Sequence, residues 1–488
     1  MSDLRRSIAY SAVQTYVSIG LQLVSTAVLS RILTPAQVGV FAIAAVFAAL
    51  ASTVRDFGIG EYLIQAKDLD TQRIRAAFLV NIVTSWSMGL AMLLLASPVG
   101  AFYRSPEITT VMQVQSVNFL LIPFGAINMA WFRRELNFRP IFFCSVASDV
   151  VSLIVAIGLG LRGLGALSLA YSSLAGVVIT VVVSMALRPK EFPRWPGTKG
   201  FAEVARFGAY ASGLYAIGQL GRGAPEMILG RALDITGVAL FSRGGGLMQM
   251  FRMLVTRAVG PVFMPYFARA DRDDGNVSRA YTHSAKLLNG VAFTIIGFLG
   301  LAAFPLIRIV YGPQWDAAVP LAQILCVAGF MEMMHTMAKE ALMSSGKVKL
   351  ATRLQFLQQL AQVLGLLLAI PLGLTGACWG MVASAVCTVG LSQWHMRVGA
   401  GFTVAGLWES VASSLLVALL ALAPMVLVVN VMPAHPGNYI WQLLIGGSLT
   451  TLAWLAAVRA TRHPLWGEVM RAANPLRTRL QARRIRDA

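Results

Sequence analysis

About fourteen apolar stretches, each long enough to cross a bilayer, follow one another from Ile8 to Val458, and about three-quarters of the lysines and arginines fall in every second gap between them or in the tails. A helix needs about 20 mostly apolar residues to span the hydrocarbon. Windows near 8–30, 38–57, 76–98, 109–130, 141–161, 166–187, 207–229, 237–259, 287–309, 319–338, 354–373, 376–396, 407–431 and 439–458 meet that length. The chain is 57% hydrophobic and 12% charged over 488 residues, with a mean hydropathy of +0.68. The expected fold class is therefore an all-α polytopic membrane protein, to which length-to-domain rules for soluble chains do not apply.

Orientation follows from the basic residues, because short translocated loops are depleted of Lys and Arg. With the N-terminus inside, about thirty of the 40 lysines and arginines fall on the cytoplasmic side, and the rest divide between outer loops and spans. Both termini are expected in the cytoplasm. A formal charge of +19 would suggest nucleic acid for a soluble protein. Here the excess lies at one membrane face, where anionic headgroups attract it, so the expected partners are membrane lipids and not nucleic acid. The first apolar run is too long for a signal-peptide core and lacks a small-residue cleavage site, so it reads as an uncleaved span. Cys144, Cys326, Cys378 and Cys387 all fall inside spans, without CxxC pairing or zinc spacing, and read as packing residues.

Loops are short, and the longest connections, 188–206 and 266–286, are cytoplasmic. Pro189, Pro193, Pro196 and Gly197 mark the first of these as a linker between two bundles. An internal repeat supports the division: Ser30–Ala42 aligns without gaps to Gly230–Ser242, with Arg31, Leu33, Val38 and Phe41 recurring as Arg231, Leu233, Val238 and Phe241. The expected organisation is an N-terminal six-helix lobe (1–187), a cytoplasmic linker (188–206), a second six-helix lobe (207–400), two further helices (401–458) and a basic cytoplasmic tail (459–488). Trp466, Val469, Leu476 and Leu480 among the tail's arginines fit either a surface-lying segment or a disordered basic end.

Five segments resemble the polysaccharide transporters, including O-antigen and exopolysaccharide flippases, of the multidrug/oligosaccharidyl-lipid/polysaccharide superfamily. They are LSRILTPAQVGVFAIAAVF at Leu29–Phe47, DFGIGEYLIQ at Asp56–Gln65, FRRELNFRP at Phe132–Pro140, ALFSRGGGLMQM at Ala239–Met250 and VYGPQWDAAVPLAQIL at Val310–Leu325. Each is short and degenerate; their order together with the span count carries the resemblance. The resemblance implies a non-enzymatic flippase of the bacterial inner membrane, carrying a lipid-linked oligosaccharide to the outer leaflet by alternating access of two lobes. It also implies contact with polysaccharide polymerase and chain-length machinery. Gly244, Gly245 and Gly246 depart from relatives, which usually have an alanine and larger residues there. They mark a bend, a close helix approach, or simple tolerance within a membrane helix.

Arg55, Arg222, Arg243, Arg252 and Arg257 lie within spans. Each arginine near the bilayer centre costs about 2.5–3.5 kcal/mol, so most must face water or partners. At 100° per residue Arg243 and Arg257 return to within about 40° of one face, about 21 Å apart, while Arg252 points nearly opposite Arg243. None of the five is lysine. Guanidinium stays charged and forks onto phosphate oxygens, which suits a diphosphate-linked lipid head. All five are candidate substrate contacts, and Arg222, Arg243 and Arg252 lead. The competing readings are an Arg222–Glu226 pair one turn apart, an Arg55–Asp56 pair, and snorkelling by Arg257. Asp56, Asp149, Glu226 and Glu332 are the candidate coupling or pairing acids. Asp149 has no base one turn away; it either pairs with an arginine across the bundle, the leading expectation, or changes protonation during transport. Glu332 and His335 could relay a proton or simply pack.

Gly158, Gly160 and Gly163 satisfy GxGxxG, but they end an apolar span without a flanking strand, so no dinucleotide site is expected. GxxxxGK[ST], HExxH and GxSxG are missing from the sequence, and no cofactor, metal or catalytic residue is expected. Trp315 at an outer interface reads as an anchor, with sugar stacking as the alternative. Three rival functions share part of this pattern. A drug or metabolite antiporter would take substrates that are often cationic, which an arginine-lined path repels. A peptidoglycan-precursor flippase obeys the same physics. A membrane glycan polymerase or ligase needs larger outer loops.

Overall fold

The computed structural model describes residues 2–56, 59–65, 70–189, 192–193, 195–273, 276–432 and 435–471. Inside the helices some side chains, that of Arg257 among them, also lie outside the description. Among the described residues every regular element is helical. Eleven segments are long and apolar enough to cross a membrane by length and composition. The predicted windows at 354–373 and 376–396 fall in one of these, Val348–Ala400. The windows at 207–229 and 237–259 fall in two further long helices, Phe201–Ala232 and Ile235–Asp273, which carry more charge. This is a multi-pass membrane protein.

The chain forms two compact units, Met1–Ser242 with Val310–Gln314, and Arg243–Ile309 with Trp315–Ala488. The first holds α1 (Ser2–Ile32), α2 (Pro35–Asp56), α3 (Ile59–Gln65), α4 (Thr71–Phe102), α5 (Pro106–Arg134), α6 (Phe138–Leu161), α7 (Ala166–Leu187) and α8 (Phe201–Ala232). The boundary lies inside α9 (Ile235–Asp273). In this unit α6 packs on α1 and α7, α5 on α4 and α7, and α8 on α2. Its buried cluster joins Leu63 of α3, Ile74 and Phe78 of α4, Ile127 of α5 and Val204 of α8 with Phe192. The predicted linker is thus tied down: the Phe192 ring meets Trp131 at 5.2 Å, and Gly197 N–H donates to the Arg75 carbonyl at 3.1 Å.

The internal repeat has a local structural counterpart. Helix α1 ends at Ile32 and α2 starts at Pro35; α8 ends at Ala232 and α9 starts at Ile235. Helix starts leave backbone N–H groups unpaired, and side chains cap both. Thr34 and Gln37 form a reciprocal capping box, Gln37 Oε1 accepting from Thr34 N–H at 3.0 Å, with Pro35 at the first helical position. At the matching place Asp234 accepts from Gly237 N–H.

The second unit holds α10 (Val277–Leu301), α11 (Ala303–Val310), α12 (Val319–Met333), α13 (Ala338–Ser344), α14 (Val348–Ala369), α15 (Gly373–Ala400), α16 (Val404–Val431) and α17 (Tyr439–Ala460). Helix α10 packs on α12 and α16, α15 on α12 and α14, and α17 on α16. Between membrane helices, where the solvent is as apolar as the side chains, close backbone approach supplies the contact energy. Gly365 and Gly380 let α14 and α15 meet backbone to backbone: a Cβ at Gly365 would stand 2.6 Å from the Gly380 carbonyl oxygen. Helix α9 runs unbroken through Gly244–Gly246. A Cβ at Gly244 would stand 3.1 Å from Leu321 Cβ and 3.2 Å from Ala322 N, so the first of these glycines serves a close approach to α12. Gly163, with φ +81°, forms the turn after α6. The basic end is described only to Arg471; Leu476, Leu480 and the rest of the expected surface segment lie outside the described residues.

Candidate functional site

Each unit encloses a polar cavity within its own helices. That of the first unit, about 610 Å³, is lined from α2 by Arg55 and Asp56, from α4 by Asn81, from α5 by Arg133, from α6 by Ser148 and Ser152, and from α7 by Ser173 and Thr180. Helical spacing explains the clustering, because Ser148 and Ser152 stand one turn apart on one face, as residues at i and i+4 do. Their hydroxyl protons are used locally. Ser148 donates to the Gly176 carbonyl at 2.9 Å and Ser152 to the Ser172 carbonyl at 3.0 Å, locking α6 to α7. Thr180 donates to the Gly176 carbonyl at 2.9 Å. The donors left for a guest among the described residues are the Asn81 amide, the Ser173 hydroxyl, which accepts from Asn118 Nδ2 at 3.2 Å, and the two guanidinium groups. Arg55 is 11% exposed and pairs with Asp56, as one sequence reading held, while the Asp56 carboxylate is 67% exposed. Arg133 is exposed and, among the described residues, is in no ion pair. Among the described residues that line this cavity, two cations stand against one acid.

The second unit's cavity, about 320 Å³, is lined by Arg252 of α9, Glu332 of α12, His335, Lys339 and Glu340, by Gln355, Gln358, Gln359 and Gln362 of α14, and by Ser384 and Thr388 of α15. Arg252 Nη1 lies 2.8 Å from Glu332 Oε2, with the two side chains 49% and 31% exposed. His335 is buried, its Nδ1 3.1 Å from the Tyr281 hydroxyl, and its ring stacks on that of Tyr281. Glu332 and His335 thus share a cavity wall, but each has a different partner.

The remaining predicted residues are placed as follows. Arg222 is exposed and donates through Nε and Nη2 to Gln219 Oε1 at 3.1 and 2.7 Å; its partner is that amide, and not Glu226. Glu226 Oε2 is buried and accepts no hydrogen bond among the described residues. Arg243 is half-buried, its Cζ 5.4 Å from the ring centre of fully buried Trp315. That burial removes the sugar-stacking alternative for Trp315, because no face of the indole is open. Asp149 accepts from the Ser18 hydroxyl at 2.5 Å and not from an arginine, correcting the expected guanidinium pairing. Arg257 lies outside the described side chains. Neither Arg222 nor Arg243 lines either cavity. Among the described residues no cluster of His, Cys, Asp and Glu is placed to hold a metal.

Two features escaped the sequence reading. Arg133 was assigned to a cytoplasmic loop because the apolar window ended at 130, yet α5 continues to Arg134. The glutamines of α14 went unremarked, although four amides at positions i, i+3, i+4 and i+7 of an apolar run form one stripe.

Residues 28–320 match the family described as polysaccharide biosynthesis protein. The chain belongs to that family. Among its relatives, the lipopolysaccharide biosynthesis protein WzxC of Escherichia coli K12 is 24% identical over 353 residues, 70% of each chain. The succinoglycan biosynthesis transport protein ExoT of Rhizobium meliloti is 22% identical over 330 residues, 66% of this chain and 65% of its own. Among solved structures, the lipid II flippase MurJ in an inward closed conformation superposes with a TM-score of 0.72 at 10% identity, over 93% of this chain and 99% of its own. An inward-facing multidrug-resistance MATE transporter gives 0.62 at 16% identity, over 80% and 98%. The chain shares its fold with both transporters.

Proposed function

We propose that this member of the polysaccharide biosynthesis family is a flippase of the bacterial inner membrane that moves a polyprenyl-diphosphate-linked oligosaccharide from the cytoplasmic to the outer leaflet, without covalent chemistry. Substrate would pass by alternating access of the lobes at 1–187 and 207–400 and be handed to the polysaccharide polymerase and its chain-length partners. Family membership, polysaccharide-synthesis relatives and a fold shared with a lipid II flippase support this reading. The observation that carries it is the charge balance among the described residues of the first unit's cavity, with Arg55 and Arg133 against the carboxylate of Asp56.

A diphosphate moved through hydrocarbon must be neutralised, since bare charges there cost several kcal/mol. Guanidinium supplies two parallel donors to phosphate oxygens and keeps its charge at any physiological pH. Arg133 offers a cation that is in no ion pair among the described residues, and the exposed guanidinium of Arg222 a second. Arg243 and Arg252 remain in this reading as further contacts, and at Arg252 the incoming anion displaces Glu332. Such exchange of one anion for another costs less than exposing a lone cation, which is how substrate could bias a conformational equilibrium. The shared fold with a MATE transporter keeps drug extrusion as the rival, and net positive charge argues against cationic drugs.

The test is complementation of a strain lacking the gene. Arg133→Gln, Arg222→Gln and Arg243→Gln should each lower surface polysaccharide at least tenfold at normal protein level. Wild-type export by all three would remove the anion-site assignment. Unchanged surface polysaccharide on deletion, with new drug sensitivity, would favour the antiporter.

A further inference from the structure

We propose that the glutamine face of α14 is a glycan subsite, which holds the uncharged sugar part of the substrate inside the second unit. This rests on the flippase reading above and adds where the sugars, as distinct from the diphosphate, are recognised. Gln355, Gln358, Gln359 and Gln362 are spaced so that seven residues return the helix to within about 20° of the starting direction. All four line the 320 Å³ cavity, opposite Ser384 and Thr388, one turn apart on α15.

A primary amide carries two donors and two acceptor sites, and it costs free energy to place in a membrane helix unless these are used. Gln358 Nε2 donates to Ser392 Oγ at 3.0 Å. Gln355 and Gln362 make no hydrogen bond to protein among the described residues, although both are only half-exposed. Packing between α14 and α15 does not need them, since Gly365 and Gly380 already bring the two backbones together. What suits such a stripe is a guest rich in paired donors and acceptors and without net charge. Vicinal sugar hydroxyls are such groups, each both donating and accepting, and an amide can meet two neighbouring ones at once. The volume lies at the low end of small-molecule sites, enough for roughly one or two sugar rings. Among the described residues that line the first unit's cavity, with its two arginines, there is no glutamine. The second cavity thus sets an amide stripe beside its own charged groups, Arg252, Glu332, Lys339 and Glu340.

Purified full-length protein tests this with two probes: undecaprenyl diphosphate, and the free oligosaccharide released by mild acid from lipid extracts of a strain lacking the gene. The Gln355→Leu/Gln362→Leu variant should bind the oligosaccharide at least tenfold more weakly than wild type and undecaprenyl diphosphate equally well. Wild-type affinity for both probes would overturn the subsite and leave the flippase reading standing. Loss of both, with a lowered melting temperature, would mean the glutamines hold the fold together, and would also overturn it. Failure of wild-type protein to bind either probe would sink the flippase reading itself.

Discussion

A guanidinium on a membrane helix persists with water, a carboxylate or an aromatic face beside it, and three arginines here show the three solutions. Arg222 is exposed, Arg252 meets Glu332, and Arg243 lies over Trp315. They differ in energetic weight. With side chains 49% and 31% exposed, the Arg252–Glu332 pair is heavily screened. A double-mutant cycle of Arg252→Gln and Glu332→Gln, read by chemical denaturation in detergent, should give a coupling below about 1 kcal/mol. A larger value would mean the pair is a structural clamp that substrate could not open. Trp315 is the opposite case, being fully buried. Trp315→Ala should cost about 3–5 kcal/mol and deplete the protein from membranes, while Trp315→Phe should stay near wild-type level on an immunoblot. The site was legible in the sequence to the extent that charge is conspicuous in an apolar run. Arg55, Asp56, Arg252 and Glu332 were all singled out, and each lines a cavity. Beyond the adjacent Arg55–Asp56 pair, which carboxylate faces which cation was not legible. That depends on contacts between α9 and α12, or on a hydroxyl from α1 meeting Asp149, at separations no helical period encodes.

At the scale of elements, apolar length placed the long helices because it reports the cost of leaving backbone groups unpaired in lipid. Short breaks carry no such cost signal, and the sequence did not mark them: Met334–Met337 separates α12 from α13 within one apolar stretch. Glycine contacts test the packing. Gly380→Ala puts a methyl against the Gly365 carbonyl and the Ala369 methyl, whereas Gly390 on the same helix has nothing within 4 Å. Gly380→Ala should destabilise by about 1–3 kcal/mol, and Gly390→Ala should leave the melting temperature unchanged; equal effects would refute the α14–α15 contact. The junction after α17 adds a pH dependence. His463 is buried; its Nδ1 accepts from Leu465 N–H at 3.3 Å, so the neutral ring carries its proton on Nε2, 3.3 Å from the Ser414 hydroxyl. Burial, followed by the nearby Lys286 charge, pushes its pKa down to about 4. Above about pH 6.5 the ring is neutral whether folded or not, and its full contribution is present. As pH falls from about 6.5 to 4 only the unfolded chain takes up the proton, so stability drops by about 1.4 kcal/mol per pH unit at most. A melting curve series over that range should fall for wild type and fall less steeply for His463→Gln.

For the whole molecule, sequence pattern and compactness draw different lines. Prolines and lost hydropathy mark 188–206 as a connection, yet Phe192 and Gly197 dock onto the first unit, and the compact boundary falls at Ser242 within α9. Composition reports where the chain leaves the hydrocarbon; it does not report which helices it packs against afterwards. Orientation is another matter, because it is set by charge summed over many loops and depends little on any one contact. Helix α5 ends with Arg133 and Arg134, and Arg139 follows near the start of α6, whereas the turn after α6 offers only Arg162. If the inner face holds the basic excess, the chain's ends and the 134–138 turn are cytoplasmic and the 162–165 turn is outside. Green fluorescent protein fused after Ala488 should therefore fluoresce. Alkaline phosphatase fused after Gly163 should be active, and fused after Leu136 silent. Because the bias is cumulative, removing Arg133 alone should not invert any of these signals. Inversion would mean an odd number of crossings before the 134–138 turn, or an even number before the 162–165 turn, and the cytoplasmic placement of Arg133 would fall with it.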